Sequence, residues 1–217
     1  MRILLVSLAA LHLPALVHTA LVTLNGVSKD TALTFDGKSL GDISNSEITL
    51  ANDQSFALPS SSLGFFGAGD FSVSIKTPDL HHNTFDAAMP DPNYGRLFTL
   101  SASSNADGVG PTAWFIKSTK QIGFRMLLSA QCVTANNILD GLSAGPTLLF
   151  TRSGHSLSIA INGAIVKTCL DTSVIDTTQF VGADMQFGRD HSRTGQNLAL
   201  KLGPIILRTV RVLDCSP

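Results

Sequence analysis

The chain reads as an all-β protein, a two-sheet antiparallel β-sandwich, and three observations predict it. Between Thr147 and Thr168, Leu157, Ile159 and Ile161 alternate with Ser156, Ser158 and Ala160, the period of two that gives a strand one core face and one wet face. Asn162-Gly163 follows at once, and that pair favours a type I′ hairpin because both central residues need positive φ. Ser153-Gly154 marks a weaker turn upstream, so the stretch is a three-stranded meander. Elsewhere strand-like runs recur about every ten residues between turn-forming clusters, and no convincing amphipathic helix interrupts them.

Taken in order, the chain opens with Arg2 and an apolar run from Ile3 to Val17, with Pro14 near its end and small residues at Thr19 and Ala20. That pattern predicts a secretory signal peptide over residues 1–20, cut near Ala20. An apolar run of roughly 15 residues broken by proline falls short of the ~20 that span a bilayer. The remainder, 21–217, is expected to be a single domain. Leu21–Leu24 and Thr31–Phe35, punctuated by Asn25-Gly26 and Asp36-Gly37, predict a hairpin at its start. Ser55–Pro59 is another strand, ended by its proline. Phe71–Lys76 alternates cleanly, with Phe71, Val73 and Ile75 inward. Thr77–Gly95 is the longest irregular segment, and long loops are commonly functional. Arg96–Ser101, Pro111–Lys117 and Gln121–Leu128 are three more strands, and Gln131–Gly145 is a polar connection into the meander. Thr178–Gly188 and Leu198–Leu213 supply the last strands, around the loop Arg189–Gln196.

Composition bounds the partners. Charged residues make up 14% of the chain and the net charge is −1, which leaves no basic footprint for nucleic acid. Three cysteines, Cys132, Cys169 and Cys215, allow three pairings, so an oxidising compartment predicts one disulfide and one odd thiol. The odd one is either buried or links two chains into a disulfide-linked dimer. No Asn-x-Ser/Thr sequon occurs, so N-glycosylation is not expected.

Several pieces, in this order, resemble the laminin-G-like jelly roll of the concanavalin A-like lectin/glucanase superfamily. Ala32-Leu33-Thr34-Phe35-Asp36-Gly37, Ser55–Pro59 and Gly69-Asp70-Phe71-Ser72-Val73-Ser74-Ile75 are similar to its opening. Gly95–Leu100 resembles its "GRLFSL" strand, and Phe150–Gly154 with Leu157–Ile159 and Asn162-Gly163 resembles "VTRxGxxLxLYVNG". Phe187–Asp190 and Gly203–Val212 are similar to its close. The resemblance covers Leu21–Leu213 and implies a jelly-roll sandwich. It departs from the pattern at Lys76, where the family carries Trp-Val, and at Ala160-Ile161, where it carries Tyr-Val. Function stays open, because such sandwiches include lectins, glycanases, adhesive modules and structural domains.

Glycanases of that superfamily use paired glutamates, one attacking the sugar and one protonating the leaving oxygen. This chain has a single glutamate, Glu47, in a polar connection, which argues against an enzyme of that type. No G-x-S-x-G elbow is present either. His81-His82 with His191 lack the ligand spacing of a zinc site, and they read as solvated loop residues. No cofactor is expected; calcium is the alternative, since many laminin-G-like modules hold one on a loop rim. Asn105, Asp107 and Asp190 offer the hard oxygens it takes, although Asp107-Gly108 reads more simply as a turn.

Sugar recognition needs an aromatic plane for the C–H face of the ring and polar partners for its hydroxyls. The single Trp, Trp114, lies within a strand and is expected in the core, whereas Tyr94 sits in the long loop beside Asn93 and Arg96. The expected ligand-binding residues are therefore Tyr94, Arg96, Asp107, Asp190 and His191, on loops at one edge of the sandwich. The predicted function is a secreted, non-enzymatic, lectin-like module that recognises a glycan or an extracellular protein surface. A structural or adhesive extracellular protein without a small-molecule site is the alternative.

Overall fold

The computed structural model describes residues 16–22, 48–49, 56–58, 69–80, 94–101, 110–126, 131–172, 184–188, 201–203 and 205–211. Two six-stranded antiparallel sheets face each other, as the alternation predicts. The first runs, edge to edge, through β1 (Leu16–Val22), β14 (Ile205–Arg211), β4 (Asp70–Lys76), β9 (Thr147–Ser153), β10 (Ser156–Ile161) and β11 (Ala164–Leu170). The second runs through β3 (Phe56–Leu58), β12 (Asp184–Phe187), β5 (Tyr94–Ser101), β6 (Thr112–Ile116), β7 (Gln121–Arg125) and β8 (Gln131–Val133). A small pair, β2 (Ile48–Thr49) with β13 (Lys201–Leu202), stands apart. The described helical structure is a single 3-10 turn, Ile138–Gly141.

Burial follows the side-chain period. β4 alternates strictly, with Phe71, Val73 and Ile75 inside, and β10 places Leu157, Ile159 and Ile161 inside. Between the sheets Phe98 and Phe124 meet Phe71 and Phe150, with ring centroids 5.4 Å apart for Phe98–Phe150 and 5.5 Å for Phe124–Phe150, and Phe187 packs against Phe98 within its own sheet. The contact is edge-on for Phe98–Phe150, a geometry that aromatic quadrupoles favour.

The meander adopts the turn that Asn162-Gly163 predicts, with φ of 50° and 83° at its two central residues. Asn162 does more than tolerate that φ. Its Oδ1 accepts the N–H of Thr147 at 2.8 Å, and its own N–H donates to the Thr147 carbonyl at 2.8 Å, so the turn also holds the start of β9. The upstream turn falls on Gly154-His155, one residue later than Ser153-Gly154, because Ser153 pairs with Ser156. There Arg152 Nε donates to buried Asp171 Oδ2 at 2.8 Å and Nη1 to the Gly69 carbonyl at 3.2 Å. Asp70 Oδ1 accepts the N–H of Gly154 at 2.7 Å, so one polar clasp joins β4 to the meander.

Two expectations change. The connection Gln131–Gly145 contains a strand, β8, too short to show a period; its Cys132 points inward and pairs with Cys169 of β11, with Cα atoms 5.5 Å apart. Of the three pairings open to the sequence, this one ties the edge of one sheet to the edge of the other; Cys215 lies outside the described residues. Trp114 is the second, being buried outside the inter-sheet core. The N-terminal hairpin expected up to Phe35 lies largely outside the described residues. Strand β1 pairs with β14 from Leu16↔Arg211 to Val22↔Ile205, so Leu16–Ala20 precede the predicted cleavage point and only Leu21 and Val22 of the strand follow it.

Candidate functional site

The second sheet has two faces of different chemistry. On β6, Ala113 and Phe115 belong to the inter-sheet core, so Thr112, Trp114 and Ile116 point the other way. On β7 the same rule turns Ile122 and Phe124 inward and Gln121, Gly123 and Arg125 outward. β5 carries a bulge between Arg96 and Phe98, which keeps Leu97 and Phe98 both buried and leaves Arg96 opposite Trp114. Trp114 is thus buried, at 6% exposure, but on the outer face instead of in the inter-sheet core. Strand length alone cannot tell which face an aromatic takes; the neighbours Ala113 and Phe115, both apolar, masked the alternation.

Register explains the arrangement around it. Trp114 pairs with Gly123, and a Cβ at Gly123 would overlap the indole, so the ring lies over the glycine. The Arg96 guanidinium sits 6.0 Å from the ring centroid and that of Arg125 5.6 Å, one contact from the strand on each side. Beside this stack Thr99 and Thr112, buried and paired across the strands, share a hydrogen bond of 3.0 Å between their hydroxyls. Arg96, predicted as an exposed ligand contact, is buried at 6% exposure and supports this layer.

Tyr94 begins β5, on the same face as Arg96 and opposite Ile116, and it is 42% exposed. Among the described residues only Ile165 and Leu170 are other large apolar side chains so exposed, and both lie on β11 in the other sheet. Two loops share the Tyr94 end of the sheet. Lys117–Lys120 connects β6 to β7, and Thr134–Gly141 leads from β8 through the 3-10 turn. Asn137 N–H donates to the Thr119 carbonyl at 2.8 Å and Leu139 N–H to the Lys120 carbonyl at 3.3 Å. Lys120 Nζ meets Asp140 Oδ1 at 2.6 Å, and Gln121 Nε2 donates to the Thr134 carbonyl at 2.5 Å. Leu139, fully buried, pins the second loop to the core.

Of the other expected site residues, Asp107, Asp190 and His191 lie outside the described residues, as do His81, His82 and Asn105. The strand ends that bracket the Asp107 loop, Ser101 and Thr112, are at the far end of β5–β6 from Tyr94, about 23 Å along a seven-residue rise. Among the described residues no group of three or more His, Cys, Asp or Glu side chains is arranged to hold a metal. No described helix is long and apolar enough to cross a membrane.

No family model matches the chain, and no curated protein matches it. Solved structures do. A heptameric SAP-like pentraxin from Limulus polyphemus is similar over 76% of this chain and 76% of its own, at 17% identity and a TM-score of 0.53. A Trypanosoma rangeli sialidase in complex with 2,3-difluoro-KDN is similar over 77% of this chain, at 12% identity and a TM-score of 0.54. The NanB sialidase from Streptococcus pneumoniae is similar over 78% of this chain, at 15% identity and a TM-score of 0.51. The chain spans about a quarter of the length of the two sialidases, at 25% and 26%. At such identities the likeness is one of fold alone, in keeping with the antiparallel β-sandwich described above.

Proposed function

We propose that this protein is a secreted, non-enzymatic, lectin-like module of laminin-G-like type that binds a glycan at the Tyr94 end of its second sheet. The observation that carries the reading is Tyr94 itself, an aromatic side chain left 42% exposed on a rigid strand while the neighbouring aromatic of the same face, Trp114, is buried. A phenol ring in that position offers a plane for the C–H face of a sugar and a hydroxyl for its polar groups. The sandwich likeness to a pentraxin supports the fold only, and the choice of ligand class rests on the residues. A disulfide between the two sheets supports an oxidising, extracellular setting. The single glutamate of the chain supports the absence of glycanase chemistry.

Asp107 and Asp190 remain part of the proposal in one form: as oxygen donors for a calcium ion. The test is binding of the purified chain to a glycan array in calcium and in chelator, with Tyr94→Ala as comparison. Wild-type protein should capture a subset of glycans, and Tyr94→Ala should bind at least about 1 kcal/mol more weakly with unfolding unchanged within about 0.5 kcal/mol. Capture of no glycan in either condition overturns the reading and favours a structural or adhesive role.

A further inference from the structure

Taking the glycan reading as its basis, we infer that the two interlocked loops, Lys117–Lys120 and Thr134–Gly141, form the hydroxyl-reading half of the site, and that the sugar they read is uncharged. Three observations combine. The loops lie across three adjacent strand ends from Tyr94, because Tyr94 pairs with Ile116 and Ile116 with Gln121. At the usual strand spacing that is about 10 Å, the span of two sugar rings.

The loops are also held in a costly conformation. Three described non-glycine residues have positive φ, and the hairpin turn accounts for Asn162. The other two are Lys120 at 50°, which closes the β6–β7 hairpin turn, and Asn137 at 60°, which precedes the 3-10 turn. Left-handed backbone at a lysine persists only where surrounding bonds impose it, and such positions gather at binding sites. Here the bonds from Asn137 to Thr119, from Leu139 to Lys120 and from Lys120 to Asp140 impose it. A ligand would therefore meet groups already fixed, with little ordering entropy left to lose.

Finally, the polar groups on offer match a polyol. Asn136, Asn137 and Asp140 are exposed, and the Asn137 side chain makes no hydrogen bond to the 3-10 turn that it precedes. Two carboxamides, a carboxylate and the ammoniums of Lys117 and Lys120 give donors and acceptors together, and Lys120 and Asp140 offset one another in charge. A sugar hydroxyl both donates and accepts, so it suits this mixture better than an anion does.

The experiment is an array carrying uncharged oligosaccharides beside their sialylated and sulfated counterparts, probed with wild type, Tyr94→Ala, Asn137→Gly, Lys120→Gly and Lys167→Ala. Glycine keeps the positive φ at 120 and 137, so the two loop variants retain their backbone while losing the amide or the ammonium. Lys167 sits on the exposed edge strand β11 and serves as control. Uncharged glycans should be captured at least as well as the anionic forms, with little change between 50 and 300 mM salt. Affinity should fall about fivefold or more in each loop variant and stay unchanged in Lys167→Ala, all four variants melting with the wild type within about 3 °C. Loss of binding in Tyr94→Ala with both loop variants normal overturns the loop assignment and leaves the glycan reading standing. Capture of anionic members alone overturns the uncharged class. An array on which nothing binds defeats the glycan reading and this inference with it.

Discussion

The β9–β10–β11 meander and the β5–β6–β7 meander are each three antiparallel strands with the same period of two, yet they use their outward faces differently. In the first, the outward residues Ser156, Ser158 and, on the edge strand, Ile165 and Thr168 reach water, with Ala160 buried among them. In the second, the outward residues Arg96, Thr99, Thr112 and Trp114 are 6% exposed or less, and Ile116, Gln121 and Arg125 around them are half-buried. A sheet needs one buried face to be stable; a second buried face, polar and aromatic, is stabilised by its own hydrogen bonds and cation–π contacts. Each meander carries one bulge, between Ile159 and Ala160 in the first and between Arg96 and Phe98 in the second, and the second face, which ends in the exposed ring of Tyr94, also needs the glycine under Trp114.

Four variants break or sharpen that contrast. The disulfide joins the two meanders through β8 and β11, closing a loop of 37 residues. Replacing Cys132 and Cys169 together by Ala should cost about 3–4 kcal/mol by the loop-entropy relation, read by denaturant unfolding, and should weaken both regions equally. Gly123→Ala should cost about 2–3 kcal/mol, because the new methyl group displaces the indole from the packed outer face. Since Trp114 is the only tryptophan, its fluorescence should report the displacement directly. Gly163→Val has open space around it and pays only for φ of +83°, so about 1–2 kcal/mol is expected, with no effect on binding. Lys167→Ala, on the exposed edge, should change stability by less than about 0.5 kcal/mol. If Gly123→Ala were as mild as Lys167→Ala, the outer face of the second meander would be no more built than that of the first.

The sandwich was legible because Ser156 to Ile159 of β10 alternate in burial as their side-chain types predict, and Asn162-Gly163 admits one turn type. Legibility failed where geometry depends on pairing rather than on local pattern. The face of Trp114 is set by its partner Gly123, nine residues away and silent until the strands align. The disulfide was one of three equal choices until β8 and β11 came together. β8 itself is three residues long, less than two periods of alternation. Tyr94 was legible as an exposed aromatic, because a tyrosine beside Asn93 and Pro92 stands at the end of a polar segment. Its companions were not, since Lys120 and Asn137 look like any polar turn and meet only through the Thr119 and Lys120 carbonyls.

The most direct measurement is a titration of isotope-labelled protein with the uncharged oligosaccharide that the array selects, followed through backbone amide shifts. Binding at the second meander predicts shifts concentrated at Tyr94, Lys117–Lys120 and Asn136–Asp140, with the Ser156–Leu170 amides unmoved. Shifts centred on the β10–β11 hairpin, with Tyr94 and the two loops silent, would contradict the account.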